Sequence, residues 1–241
     1  MITMYYHVVS EKGTKRPENE DSYIIEQNNN YILFAIADGV GGLPGGKKAS
    51  TTALQSFQSI LKTHTSIDLL NSIEQVHRSI LMEGEKQQKQ MATTIVACLI
   101  DRTSGKALIT HVGDSRAYII DDTIWKTKDH TLVQELVDLG IITEEQALTH
   151  PERHRITQAL GITQQLHLQL HRKLINDSIL LLCSDGLSDF VPDAELAAIA
   201  RGYEPKEACQ KLVEKARKNG STDDITVLIA HIKNQQKNNF F

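Results

Sequence analysis

The chain has 241 residues, 40 % of them hydrophobic, with 26 Lys and Arg against 30 Asp and Glu for a net charge of −4. That is enough apolar material for one sizeable core, so one domain over 1–241 is expected rather than two small ones. Charges of both signs are dispersed, which excludes the basic field of a nucleic-acid binder and the polybasic stretch of a membrane-surface protein.

Cys98, Cys183 and Cys209 are too scattered for a disulfide framework and indicate a reducing compartment. The N-terminus has no basic start leading into an apolar stretch, and no run is long enough to span a bilayer. A cytoplasmic monomer with soluble partners is expected.

In chain order, β-branched enrichment and short apolar runs predict strands at 4–9, 22–26 and 32–37. Helical spacing follows at 46–61 and 67–85, then strands at 94–100, 107–112 and 117–120. The segment 126–161 is polar and His-rich with a short helix at 132–139, and reads as an excursion over the surface. Strands at 166–170 and 178–183, helices at 194–200 and 205–218, and a last strand at 226–232 complete the pattern, with a frayed tail over 233–241. Strands in succession with helices in pairs predict an α+β fold: a β-sandwich of two antiparallel sheets with helices on both sides.

Several of these strands carry acids at their ends. The run "LFAIADGVGG" stops on Asp38, "ALITHVGDSRAY" reaches Asp114 after Gly113, and "SILLLCSDGLSDF" leads to Asp185. In "RPENEDSYII" Glu20 and Asp21 precede an apolar run, as Asp223 and Asp224 do in "GSTDDITVLIAHI". Carboxylates at the mouth of a core are unfavourable unless a cation or strong donors stand beside them.

Hard divalent cations take oxygen ligands and keep several waters, so a few carboxylates from separate strands suffice for Mg²⁺ or Mn²⁺. Zinc is disfavoured, because the ten His are dispersed along the chain and no Cys-x-x-Cys pair occurs. Two such ions can deprotonate a shared water and stabilise in-line displacement at phosphorus. Arg16, four residues before Glu20, carries the fork of donors that matches phosphate oxygens.

The fragments "RPENED", "ADGVGG", "MATTIVACLI", "HVGDSRAY", "DHTLVQELVDLGIIT", "LCSDGLSD" and "GSTDDITV" occur in order over nearly the whole chain. The set resembles the metal-dependent Ser/Thr protein phosphatases of the protein phosphatase 2C type, in their compact bacterial form. The resemblance implies a β-sandwich flanked by helix pairs, and hydrolysis of phosphomonoesters by direct attack of a metal-bridging hydroxide, without a phosphoenzyme. It implies that Asp38 bridges two ions, that Gly39 lends a carbonyl, that Glu20 helps hold the second ion, and that Asp185 and Asp223 hold the first. Asp114 and Asp185 would hold a weaker third ion, and Arg16 would bind and orient the phosphoryl group. The implied partners are phosphoserine and phosphothreonine proteins and a cognate Ser/Thr kinase.

Three positions depart from the family pattern. Val40 stands where eukaryotic members often carry a candidate general-acid His, Asp224 where Asn is usual, and Ala92 where Gly is usual. His130 and His150 read as solvated loop histidines of a flap-like excursion, and Asp21 as a residue that caps or hydrogen-bonds the site. Two rivals stand beside this reading: a catalytically dead relative that binds phosphoproteins, and a hydrolase of a small phosphorylated metabolite.

Overall fold

The structure, a computed structural model, describes residues 2–63 and 67–234. Its strands are β1 (Ile2–Glu11), β2 (Ser22–Gln27), β3 (Tyr31–Ala37), β4 (Ile95–Asp101), β5 (Lys106–Val112), β6 (Arg116–Ile120), β7 (Ile124–Lys126), β8 (His171–Leu174), β9 (Ser178–Cys183) and β10 (Ile225–Asn234). The helices are α1 (Gly46–Thr63), α2 (Leu69–Gln87), α3 (Leu132–Asp138), α4 (Glu144–Thr149), α5 (Asp185–Ser188), α6 (Asp193–Gly202) and α7 (Pro205–Lys218). They build two five-stranded sheets, ordered β1-β10-β9-β6-β7 and β2-β3-β4-β5-β8. Every pairing is antiparallel. The α+β sandwich is as expected.

The central strands are apolar over most of their length because both faces are buried. Along β3 and β4, Ile32, Phe34, Ile36, Val96 and Cys98 face inward and meet Leu180, Leu182, Leu228 and Ala230 of the other sheet. Their neighbours Leu33, Ala35, Ile95 and Ala97 face outward and pack on α1 and α2 through Phe57, Ile73 and Ile80. The other sheet repeats this: Leu181, Cys183, Val227 and Ile229 turn outward to Leu196, Leu212 and Val213 of α6 and α7. The period of two thus yields four layers, helices–sheet–sheet–helices.

Three expectations are corrected. Residues 166–170 form no strand; Leu166, Leu168 and Leu170 pack on the outer cluster, while the hydrogen-bonded edge strand is the polar β8, paired with β5 from Lys106↔Leu174 to Ile109↔His171. Their alternation records packing and not a ladder. Lys233 and Asn234 belong to β10, opposite Thr3 and Ile2, so they are not frayed; 235–241 lie outside the described residues. The segment 126–161 contains two short helices, α3 and α4, each started by a threonine cap: Thr131 accepts from Gln134 N–H and Thr143 from Gln146 N–H. Among the described residues no helix is long and apolar enough to cross a membrane.

Candidate active site

The ladder register answers why so many strands end on acids. Ser22 opposes Ala37, so Glu20 and Asp21 before β2 meet Asp38 after β3. Cys183 opposes Val227, so Asp185 after β9 meets Asp223 and Asp224 before β10. Ile95 opposes Val112 and brings Asp114 to the same end. Antiparallel pairing has gathered every acid-bearing terminus at one end of the sandwich. There Arg16, Asp38, Gly39, Asp114, Asp185 and Asp223 line a cavity of about 420 Å³. Val40, His154, Ile156, Asp189 and Phe190 line it too. Glu20 stands behind Arg16, with Nη1 3.4 Å from its Oε2.

Local geometry fixes each acid. Asp38 is pinned through its backbone: its N–H donates to Thr94 Oγ1 at 3.1 Å, and its carbonyl accepts from Thr94 N–H at 2.8 Å and the Thr93 hydroxyl at 2.7 Å. Gly113 has φ +99°, and a Cβ there would come within 2.6 Å of Thr94 Cγ2, so only glycine lets β5 turn Asp114 into the cavity. Asp21 is buried and accepts from the Ser184 hydroxyl at 2.8 Å. Its other oxygen has no hydrogen-bond partner among the described residues.

Burial, and then the neighbouring carboxylates, push Asp38 and Asp185 well above the ordinary range. Burial and Asp129 lift Asp114 to about 7, and burial lifts Asp21 to about 6. Such a set fits a hard cation: positive charge and open coordination sites would satisfy the crowded carboxylates and the orphaned Asp21 oxygen. Among the described residues, however, no three acids, histidines or cysteines yet converge as a coordination shell. One cause is visible. Arg16 holds Asp223 bidentately, Nε to Oδ1 at 2.7 Å and Nη2 to Oδ2 at 2.8 Å.

Asp224 turns out to be a clamp. It is 3 % exposed, and its oxygens accept the N–H of Gly13 at 2.7 Å and of Glu20 at 2.7 Å. It thereby fixes both ends of the loop that carries Arg16. His130 and His150 do not line the cavity. His130 stacks on His111 with centroids 4.4 Å apart and accepts from Gly113 N–H; His150 accepts from Glu152 N–H in its own turn. Sequence reasoning missed His154 and Asp189, whose side chains meet at 3.0 Å. The spacing of Asp189 four residues after Asp185 was the available signal, since it puts both on one side of a helical turn.

The sandwich with its acid-lined end defines a class: the protein phosphatase 2C family model matches residues 14–220, and the chain belongs to that family. Among its relatives, serine/threonine phosphatase stp of Listeria innocua is 31 % identical over 97 % of this chain and 98 % of its own length. The crystal structure of serine/threonine phosphatase Stp1 from Staphylococcus aureus superposes with a TM-score of 0.89 at 30 % identity, covering 96 % of each chain. The catalytic domain of serine threonine protein phosphatase PstP in complex with two manganese ions gives 0.81 at 31 % identity, over 97 % of this chain and all of that one.

Proposed function

We propose that this chain is a Mg²⁺- or Mn²⁺-dependent protein serine/threonine phosphatase that hydrolyses phosphomonoesters by direct attack of water. The observation that carries this is the gathering of Asp38, Asp114, Asp185 and Asp223 with Arg16 around one cavity. Asp38 and Gly39, with Glu20 on one side and Asp185 and Asp223 on the other, are the residues to hold two divalent ions, and Asp114 with Asp185 a weaker third. Bound there, the ions would lower the pKa of water and offset the charge of the phosphoryl group.

The protein's own groups do the rest. Arg16 presents the donors that fit phosphate oxygens and orients the ester. Asp224 holds the loop that carries Arg16, and the pinned backbone of Asp38 keeps its carboxylate at the cavity wall. No phosphoenzyme is invoked: the buried Ser115 hydroxyl is hydrogen-bonded to Thr94 Oγ1 at 2.7 Å and is not among the described residues that line the cavity. Positioning and charge stabilisation suffice for phosphoryl transfer of this kind. We place the protein in the cytoplasm as a monomer, acting on phosphoserine and phosphothreonine proteins opposite a cognate kinase.

The test is a panel of phosphoserine peptides, phosphothreonine peptides and phosphorylated metabolites, assayed on chelator-stripped protein with Mn²⁺ or Mg²⁺ restored. Turnover of peptides only with metal is expected. Turnover of metabolites alone would shift the reading to a small-molecule hydrolase, and binding without turnover would make the chain a phosphoprotein-binding module.

A further inference from the structure

We propose that His154 is a catalytic residue, the acid that protonates the departing seryl or threonyl oxygen, and that Asp189 positions it. This rests on the phosphatase reading above and assigns a part that reading leaves open. A serine or threonine alkoxide is too basic to leave unaided, so a donor is needed on the leaving-group side of the cavity. Asp38, Asp114, Asp185 and Asp223 are committed as anions to the cation site. The Arg16 guanidinium keeps its protons, and Val40 has none to give. Among the described residues that line the cavity, His154 is the sole imidazole.

His154 lies in the turn after α4. The chain there is tied back to the start of α3: Leu132 N–H donates to Arg155 O at 2.9 Å and Thr157 N–H to His130 O at 2.8 Å. Its Nδ1 is 3.0 Å from Asp189 Oδ2, which fixes the proton on that nitrogen and leaves Nε2 to donate. Asp189 caps α5, and its N–H donates to the Asp185 carbonyl at 3.0 Å. Its other oxygen is 4.0 Å from Arg116 Nη2. Arg116, from β6, is itself held by Asp129 at 2.8 and 2.6 Å.

The charged groups around the pair are therefore Arg116, Asp129, Arg153, Asp114 and Asp185. The His154 side chain is 52 % exposed, so solvent can reload it after each turnover. Ile156 and Phe190 supply apolar wall beside it.

In the step, the bond from phosphorus to the seryl oxygen breaks with its electron pair passing to that oxygen. The oxygen takes the proton from His154 Nε2 and leaves as the neutral alcohol. The oxygen of one water bonds to phosphorus as the fourth oxygen of phosphate and releases one proton to solvent, and the neutral imidazole takes one proton from solvent.

The experiment compares wild type and His154→Gln in Mn²⁺ on a phosphoserine peptide and on 4-nitrophenyl phosphate, whose aryloxide leaves without a proton. We expect kcat on the peptide to fall by about a hundred-fold, kcat on the aryl ester to stay within about two-fold, and the alkaline limb of the peptide pH profile to disappear. Asp189→Asn should lower kcat on the peptide while leaving the aryl ester within about two-fold, as expected of a residue that orients His154 Nε2. Equal loss on both esters, or no loss on either, while wild type hydrolyses both, would overturn the role of His154 alone. If wild type hydrolyses neither ester, the phosphatase reading fails and this proposal fails with it.

Discussion

Arg16 and Asp223 are locked together through two short parallel contacts, Nε–Oδ1 at 2.7 Å and Nη2–Oδ2 at 2.8 Å. The pair joins the residue proposed for phosphate to a carboxylate proposed for metal. If Asp223 holds a divalent ion as proposed, that ion would compete with the guanidinium for the carboxylate and free the fork of Arg16.

Arg16→Ala should accordingly tighten Mn²⁺ binding by calorimetry, because it removes both a competitor and a positive charge. The same variant should lose roughly ten- to a hundred-fold in kcat/KM on phosphopeptides, as charge-assisted hydrogen bonds contribute about 1.5 to 3 kcal/mol. Arg16→Lys should recover only part of that loss. Unchanged kinetics for the alanine variant would place Arg16 away from phosphate.

Asp224→Asn tests the loop clamp. An amide offers one acceptor oxygen where the carboxylate offers two, and turns an NH₂ group toward the N–H of Gly13 or Glu20. A loss of about 1.5 to 3 kcal/mol in denaturant unfolding is expected, with faster amide exchange at Gly13 and Glu20. Wild-type stability in this variant would show that the two hydrogen bonds contribute nothing.

Without metal, stability should depend on pH in a definite sense. The Asp114 carboxyl stands at about 7 and that of Asp21 at about 6, above their ordinary 3.8, so the folded state holds protons the unfolded chain releases. That contribution is present on the acid side and lost as pH rises through these values. Burial pushes His130 down to about 4 from 6.5, which removes stability as pH falls through that interval. The metal-free thermal midpoint should therefore drop between about pH 6 and about pH 8, and Mn²⁺ should raise it more at the upper end. A metal-free midpoint that rises over this interval would contradict the electrostatics.

Asp114→Ala should remove a third, weakly held ion while leaving two, and lower kcat on phosphopeptides more than it changes stability. Three ions retained with normal turnover would make Asp114 a strand-end residue only.

Much of this was legible in the sequence because the central strands are buried on both faces. Residues 32–37, 95–100 and 179–183 have no polar position to blur them, and Asp38 and Asp185 follow the first and last of these runs. What was hidden was edge or long-range. β7 is three residues long and β8 reads His-Arg-Lys-Leu, held by backbone hydrogen bonds that leave no apolar signature. Leu166, Leu168 and Leu170 alternate as a strand does, yet pack without a ladder. The grip of Asp224 on Gly13 spans 211 positions, and the approach of His154 to Asp189 depends on how the 126–161 segment folds back over the cavity. Neither leaves a local pattern.

The acids gathered at the end of the sandwich are proposed as a divalent-cation site. The most direct test is anomalous diffraction from crystals of the protein grown in Mn²⁺. Two strong manganese peaks are expected in the cavity, both within ligand distance of an Asp38 oxygen, with Arg16 released from Asp223. Anomalous density absent from the cavity, or two ions bound without Asp38, would contradict it.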